Sequence, residues 1–219
     1  KNTLTELKKR FDQESNKVIG STSVVLDGMK SHIRTQETNM GNLFTDAVKA
    51  EFPEVDMVLL NSGSIRTNAK FPPGKIKLSD IWQWHPFANK IIIVSISGEQ
   101  LKSVLERSVA NLPISKGNFL QVSGVSFTVD LTEKPQELND EQTDIKEKGS
   151  RISNILIAKK PIVPNKNYFV AINDFMFSGG DGFIAFKNTK HEMKTNIDVT
   201  DILINYIKKN SPIHPKTSD

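Results

Sequence analysis

The stretch Asn173-Asp-Phe-Met-Phe-Ser-Gly-Gly-Asp-Gly-Phe183 organises the rest of the chain. It follows an apolar run, residues 168–172, that predicts a buried strand. Three glycines then surround one acid, Asp181, in a bend where positive φ and close approach to the backbone are allowed. A carboxylate held there can accept two hydrogen bonds from a vicinal diol, as acidic residues do for ribose. Phe175 and Phe183 offer flat faces for stacking on a base. The alternative is an ordinary glycine-rich turn between strands.

Three other motifs precede this bend: Arg34-Thr-Gln-Glu-Thr-Asn-Met-Gly-Asn-Leu43, Leu60-Asn-Ser-Gly-Ser-Ile-Arg66 and Trp84-His-Pro-Phe-Ala-Asn89. In this order, the four stretches resemble the C-terminal substrate-binding domain of the 5′-nucleotidase family, from about residue 18 to residue 211. The resemblance implies an α+β fold, with mixed β-sheets flanked by helices. It also implies that residues 1–17 end an interdomain connecting helix, and that residues 212–219 form a polar tail, which we expect to fray.

Composition restricts the classes of partner. The chain has 219 residues, 37% of them hydrophobic and 25% charged, as in a soluble globular protein. Its formal charge of +4 comes from scattered lysines, so we expect no nucleic-acid partner. No apolar run approaches the length of a membrane span, and the absence of cysteine excludes disulfides. If the protein is exported, we expect its signal to lie upstream of Lys1.

Apolar periodicity predicts the main elements. Helices are expected over residues 3–17, 37–52 and 98–109, with Thr38 or Asn39 capping the second and a capping box at Ser97–Gln100 starting the third. Ser79 is expected to cap a shorter helix. Strands are expected near residues 18–20, 24–26, 57–60, 90–96, 125–131, 152–157 and 168–172, and a closing helix near 199–207. Residues 132–150 are predicted to form a mobile hairpin or surface loop without a site.

No catalytic motif is evident in the residues themselves. The histidines share no metal-ligand spacing, and His85 beside Pro86 is typical of a packing or hydrogen-bonding residue. The chain also lacks a P-loop, a Gly-x-Ser-x-Gly elbow and a pair of acids placed for acid–base chemistry. The residues alone therefore predict binding, not chemical transformation.

The resemblance explains that absence. Members of the 5′-nucleotidase family are two-domain phosphohydrolases whose N-terminal metallophosphoesterase domain holds a divalent metal pair, while the C-terminal domain holds the nucleoside. It implies a nucleotide or nucleoside substrate, no cofactor in this chain, and an N-terminal domain of the same polypeptide as partner. Nucleotide sugars and 2′,3′-cyclic nucleotides are alternative substrates, and a non-catalytic nucleotide-binding or surface interaction module is the alternative function. The implied location is extracellular, periplasmic or at the cell surface.

The resemblance also implies roles for individual residues. Phe87 and Phe175 correspond to an aromatic clamp on the base, and Asp181 to the acid that binds the ribose hydroxyls. The remaining positions correspond to groups near the ribose and phosphate (Arg34, Arg66), around the base and its loop (Asn61, Asn89), and at the back of the base pocket (Gly117).

Two departures from the family pattern affect these roles. The usual Asn-Gly-Gly-Gly-Ile-Arg loop carries Ser62 and Ser64 in place of glycines. If those positions need positive φ, each serine costs about 1 kcal/mol. Gln36 stands where some relatives have a second arginine, whereas Arg34 matches others, so phosphate contact is less firmly implied than the base clamp.

Overall fold

The computed structural model of the chain describes residues 2–187, 189 and 191–217. Lys1 and residues 218–219, which belong to the predicted connecting helix and polar tail, lie outside the described residues. Within the part that is described, no helix is both long and apolar enough to cross a membrane.

Helices and strands are interspersed along the whole described chain. The α-helices are Asn2–Ser15 (α1), Lys30–Ile33 (α2), Asn39–Glu51 (α3), Leu78–Trp84 (α4), Gly98–Val109 (α5), Asp174–Phe177 (α6) and Val199–Asn210 (α7). The strands are Val18–Thr22 (β1), Leu26–Asp27 (β2), Met57–Asn61 (β3), Lys70–Phe71 (β4), Gly74–Lys77 (β5), Lys90–Ser97 (β6), Leu120–Ser123 (β7), Val125–Val129 (β8), Glu137–Leu138 (β9), Ile145–Glu147 (β10), Ile152–Ile157 (β11), Lys160–Pro161 (β12), Asn167–Asn173 (β13) and His191–Asp198 (β14).

A mixed five-stranded sheet in the order β14-β6-β13-β3-β7 forms the centre of the fold. Strands β13 and β3 run parallel, with Val170 beside Met57, and the other neighbours are antiparallel. A second sheet has the order β12-β11-β8, and the pairs β1–β5, β2–β4 and β9–β10 complete the described strands. The predicted α+β class, mixed sheets flanked by helices, is confirmed.

Successive side chains along each strand of the central sheet point to opposite faces, and each face packs against its own core. In β3, Val58 and Leu60 face a core built with α3, α4 and α7, whereas Met57 and Leu59 face a second core built with α5 and the three-stranded sheet. All five β3 residues are buried. This explains why β3 appears in the sequence as a continuous apolar run and not as an alternating one.

Helix starts follow the predicted capping chemistry at two of three positions. The Thr38 hydroxyl accepts the Gly41 N–H at 3.0 Å, and Ser97 accepts the Gln100 N–H while Gln100 accepts the Ser97 N–H. The prediction that Ser79 caps α4 is wrong. Helix α4 begins at Leu78, so Ser79 lies inside its first turn, and the Asp80 carboxylate accepts the Lys77 N–H at 2.7 Å.

The segment around Ile213 is held more firmly than expected. Ile213, in the stretch predicted to fray, is only 3% exposed and exchanges backbone hydrogen bonds with Ser21 and Ser23 beside β1. The prediction of fraying from Pro212 onward is therefore wrong at Ile213, because a single apolar residue anchors the segment.

Residues 132–150 contain the predicted hairpin, formed by β9 and β10. Its position is less peripheral than expected. A Cβ placed on Gly182 would lie 2.7 Å from a Leu138 methyl group, so the hairpin packs directly against the glycine bend.

Candidate functional site

Four loops meet at one edge of the central sheet. Because β3 and β13 are parallel, their last residues, Asn61 and Asn173, reach the same edge. Strands β6 and β7 run antiparallel to these neighbours, so the segments that precede them, which carry Phe87 and Gly117, reach that edge too. Sheet topology therefore brings together four stretches that are distant in sequence.

A chain of hydrogen bonds between side chains fixes the acid of the bend. Asn61 donates from Nδ2 to Asp181 Oδ2 at 2.7 Å, and Asn173 donates from Nδ2 to Asn61 Oδ1 at 2.9 Å. Asn173 in turn accepts the Met176 N–H at 2.9 Å and so caps α6. Asn61 and Asn173 are both buried, at 1% and 0% exposed, so the Asp181 carboxylate is oriented by groups that cannot move freely.

The backbone of the bend needs its glycines in two different ways. Gly179 and Gly182 have φ of 85° and 81°, the left-handed conformation in which glycine pays little steric cost. Gly180 instead allows close approach, because a Cβ there would lie 2.4 Å from the Phe175 ring. Asp181 itself has φ of 55°, which is unusual for a residue with a side chain and marks a constrained position.

Gly63 and Gly117 form the floor under Asp181. The Gly63 N–H donates to the Gly117 carbonyl at 2.9 Å. Cβ atoms added at Gly63 and Gly117 would lie 3.2 and 3.3 Å from Asp181 Oδ2, respectively, so both backbones closely approach the carboxylate. Gly117 therefore lies against the carboxylate of the bend, and its assignment to the back of a base pocket stays a prediction.

The serines that replace two glycines of the usual loop are not strained. Ser62–Ser64 form a 3-10 turn, and neither serine has a positive φ, so the conformational cost of a positive φ does not arise. Ser64 donates its hydroxyl to the Asn61 carbonyl at 2.7 Å, and Ser62 donates to the Gly117 carbonyl at 3.3 Å. Both hydroxyls therefore brace the loop that carries Asn61.

Arg34 and Arg66 add positive charge beside the acid. Burial lowers the pKa of Arg34, the neighbouring charge of Arg66 lowers that pKa further, and the Asp181 carboxylate acts in the opposite direction. The buried Nε of Arg34 has no hydrogen-bond partner among the described residues. The Arg66 guanidinium carbon lies 5.8 Å from the centroid of the Phe87 ring. The Arg34 guanidinium therefore lies near Arg66 and Asp181, and the Arg66 guanidinium lies near the Phe87 ring.

The aromatic residues divide into exposed and buried. Phe87 and Phe175 are 40% and 44% exposed. Phe183 is only 1% exposed and packs in the second core against Phe186. The expectation that Phe183 offers a stacking face is therefore wrong, because the chain turns inward after the bend.

Two polar contacts hold the segments that carry the exposed rings. Asn89 donates from Nδ2 to Asp174 Oδ1 at 2.8 Å and so joins the loop before β6 to the residue next to Phe175. His85 is buried, and its Nδ1 lies 3.0 Å from the Phe87 carbonyl, with the two rings edge to face. The prediction that His85 serves packing and hydrogen bonding is confirmed.

The structure adds residues that the sequence did not single out. Asn173 orients Asn61, and Arg107 donates from Nε to the Asp181 carbonyl at 2.9 Å. Asn173 carries a signal, since asparagine after a strand and before a helix is typical of an N-cap. Nothing in the sequence signals the role of Arg107, because its contact joins residues 74 positions apart. Among the described residues, no three His, Cys, Asp or Glu side chains come together to hold a metal ion.

Fold and site together define an α+β domain that gathers Asp181, Arg34, Arg66 and the exposed rings of Phe87 and Phe175 at a sheet edge. Residues 18–188 match the family described as "5′-nucleotidase, C-terminal domain". The chain belongs to that family.

Comparison with individual proteins gives the same result. The chain is 30% identical to the trifunctional nucleotide phosphoesterase protein YfkN of Bacillus subtilis, over 99% of this chain and 14% of that protein. It is 29% identical to a snake venom 5′-nucleotidase of Crotalus adamanteus, over 97% of this chain and 37% of that protein. A 5′-nucleotidase precursor from Thermus thermophilus superposes with a TM-score of 0.85 at 25% identity, over 99% of this chain and 41% of that one. The chain thus spans less than half the length of these relatives.

Proposed function

We propose that this chain binds the nucleoside part of a nucleotide and presents its phosphate ester to a metallophosphoesterase domain of the same polypeptide. The observation that carries the proposal is the position of Asp181. Its carboxylate is held by buried Asn61 at 2.7 Å, on a left-handed backbone, beside Arg34 and Arg66, at the sheet edge that also carries the exposed rings of Phe87 and Phe175.

Asp181 would bind the ribose. An ionised carboxylate has about four lone-pair sites and uses one on Asn61, so acceptors remain for the two hydroxyls of a vicinal diol. The Asn61–Asn173 chain supports this role, because it fixes the plane of the carboxylate before a ligand arrives. Such preorganisation favours a rigid diol over a single flexible hydroxyl.

Phe87 and Phe175 would hold the base. Both rings are exposed at the edge where the acid lies, and Asn89 ties their segments together through Asp174. Stacking on an aromatic side chain contributes about 1–3 kcal/mol per base and tolerates every base, since each has a π-face. We therefore infer nucleotide binding without a strong base preference from these two rings.

Arg34 and Arg66 would face the phosphate side of the ligand. The guanidinium of Arg34 is partly desolvated and its Nε lacks a partner in the described structure, so an anionic oxygen would satisfy it. Guanidinium–phosphate hydrogen bonds are among the stronger polar contacts in proteins. The positive pair also offsets the negative charge that a phosphate brings close to Asp181.

Phosphate hydrolysis would belong to a domain outside this chain. The relatives named as phosphoesterase and 5′-nucleotidase are more than twice as long as the matched region. A divalent metal pair in such a domain would activate water and stabilise the charge on phosphorus, and the residues of this chain would bind and orient the nucleoside. Because one relative is a venom protein, we propose that this protein also acts outside the cytoplasm.

Titration of this chain with adenosine and 2′,3′-dideoxyadenosine tests the proposal, using Asp181→Asn and Asp181→Ala. Asparagine tolerates the left-handed backbone, so the Asn variant separates lost charge from lost conformation. Hydrogen bonds to a charged group contribute about 1.5–3 kcal/mol, so we expect Asp181→Asn to weaken adenosine binding roughly 10-fold to 100-fold. Dideoxyadenosine affinity should be unchanged. Equal losses for both ligands would contradict the assigned role.

A further inference from the structure

The last turn of α5 contacts the bend from below. Arg107 donates from Nε to the Asp181 carbonyl at 2.9 Å, and a Cβ on Gly182 would lie 2.7 Å from the same nitrogen. The guanidinium therefore packs on the backbone of the bend and is not a free surface charge. We propose that Arg107 is a positioning residue that sets the ribose selectivity of the site through Asp181, an inference that rests on the proposed nucleoside-binding function.

Asp181 needs such a support. Its φ of 55° is disfavoured for a residue with a Cβ, so the surroundings must hold the backbone in place. Arg107 fixes the main chain at the carbonyl, and Asn61 fixes the side chain at Oδ2. With both ends held, the carboxylate points in one direction. Without Arg107, the Asp181 carbonyl loses its side-chain donor, and the bend is held by the buried Phe183 and by the backbone hydrogen bonds from Gly182 N–H to the Gly179 carbonyl and from Phe183 N–H to the Gly180 carbonyl.

The charge of Arg107 acts in the same direction as its hydrogen bond. Burial lowers the pKa of Arg107, and the negative charge of Asp181 opposes that effect. The two charges therefore attract each other in partly desolvated surroundings, where such attraction is stronger than in water. A charged donor also makes a stronger hydrogen bond to a carbonyl than a neutral donor does.

The same turn of α5 holds a second loop of the site. The Arg107 carbonyl accepts from Asn118 Nδ2 at 2.7 Å, and the Ser108 hydroxyl accepts the Leu120 N–H at 2.8 Å. Asn118 follows Gly117, whose backbone lies under the Asp181 carboxylate. The Arg107 carbonyl and the Ser108 hydroxyl hold the loop that forms the floor of the site, whereas the Arg107 side chain holds the acid above it. A substitution of the Arg107 side chain leaves both floor contacts in place and should disturb the acid selectively.

The test compares ribonucleoside and dideoxynucleoside binding in Arg107→Gln and Arg107→Lys. Gln removes the charge, and Lys keeps the charge but lacks the Nε–H at this position. We expect the preference for adenosine over 2′,3′-dideoxyadenosine to fall at least fivefold in both variants, with dideoxyadenosine affinity within twofold of the unaltered chain. Lys102→Gln, an exposed cation on the same helix, is the matched control and should leave the preference unchanged.

A general structural role predicts something different, namely equal weakening of both nucleosides. Substituting Arg107 in an Asp181→Asn background adds a second criterion: if Arg107 acts through the acid, no further selectivity is lost there. Unchanged selectivity in both single variants, equal weakening of both ligands, or full additivity with Asp181→Asn would overturn the inference. If the unaltered chain binds no nucleoside, the proposed function fails and this inference fails with it.

Discussion

Phe175 and Phe183 lie on either side of the same three glycines, and the structure gives them opposite environments. Phe175 is 44% exposed, with its ring resting against Gly180 at the sheet edge. Phe183 is 1% exposed and packs beside Phe186 in the core under α5. The bend between them is therefore anchored in the core at one end and open to solvent at the other, with Asp181 at the boundary. A conformationally costly acid can be maintained there because the anchor is rigid.

Phe183→Ala should have the largest effect, and on stability. Removing a fully buried phenylalanine costs about 3–5 kcal/mol, which for a chain of this size lowers the melting temperature by roughly 10 °C. Thermal unfolding followed by circular dichroism measures this. A loss below about 1 kcal/mol would show that the core end of the bend is not the anchor we describe.

Phe175→Ala should have the converse effect. The exposed ring contributes little to the folded state, so the melting temperature should change by no more than about 1–2 °C. The binding free energy of a nucleoside should become less favourable by about 1–3 kcal/mol, and the loss should be similar for adenosine and uridine. Phe175→Tyr, which keeps the aromatic face, is the control and should bind normally. A base-dependent loss would indicate that polar groups, and not stacking, dominate recognition.

Gly180→Ala tests the close approach between the bend and the Phe175 ring. The new methyl group would lie 2.4 Å from that ring, which is exposed enough to swing away. We expect nucleoside affinity to fall by about 0.5–1.5 kcal/mol, less than in Phe175→Ala, because the ring is displaced and not removed. In the Phe175→Ala background the substitution should have no further effect, and calorimetry can show whether the two losses are instead additive.

Acidification should produce the smallest effect, through His85. Burial lowers the pKa of His85, and its hydrogen bond to the Phe87 carbonyl and the charges of Asp198 and Asp174 only partly offset this. Folded His85 therefore stays neutral at a pH where the unfolded chain takes up a proton. Its contribution to stability is complete above about pH 6.5 and is lost as the pH falls below that value. The free energy of unfolding can be measured in urea at pH 7.5 and at pH 5.5. Its change between the two pH values should be smaller for His85→Asn than for the control variant His214→Asn.

The sequence predicted the elements whose signal is local. The apolar runs before Asn61 and Asn173 identified both buried strands of the site edge, and the caps at Thr38 and Ser97 followed from residue spacing. Strand β7 was missed because a short strand between loops has no clear periodicity. Asp181 and Phe175 followed from the glycine bend, and the roles of the other six site residues came from a family resemblance. The strand pairings explain how the segments next to β3, β6, β7 and β13 reach one edge.

What the sequence could not predict depends on contacts between distant residues. Phe183 and Phe175 are chemically identical, and only the tertiary path after the bend decides which one is buried. The Asn61–Asn173 hydrogen bond joins residues 112 positions apart and exists because two strands run parallel. Arg107 reaches Asp181 only because α5 covers that face of the sheet.

The most direct test of the account is a calorimetric titration of this chain, without added metal, with adenosine, uridine and 2′,3′-dideoxyadenosine. The account predicts saturable binding of adenosine and uridine with affinities within about tenfold of each other, since stacking is tolerant of the base. It predicts clearly weaker binding of the dideoxy compound, since Asp181 loses its diol. Absence of saturable binding by all three ligands, or equal binding of adenosine and its dideoxy analogue, would contradict it.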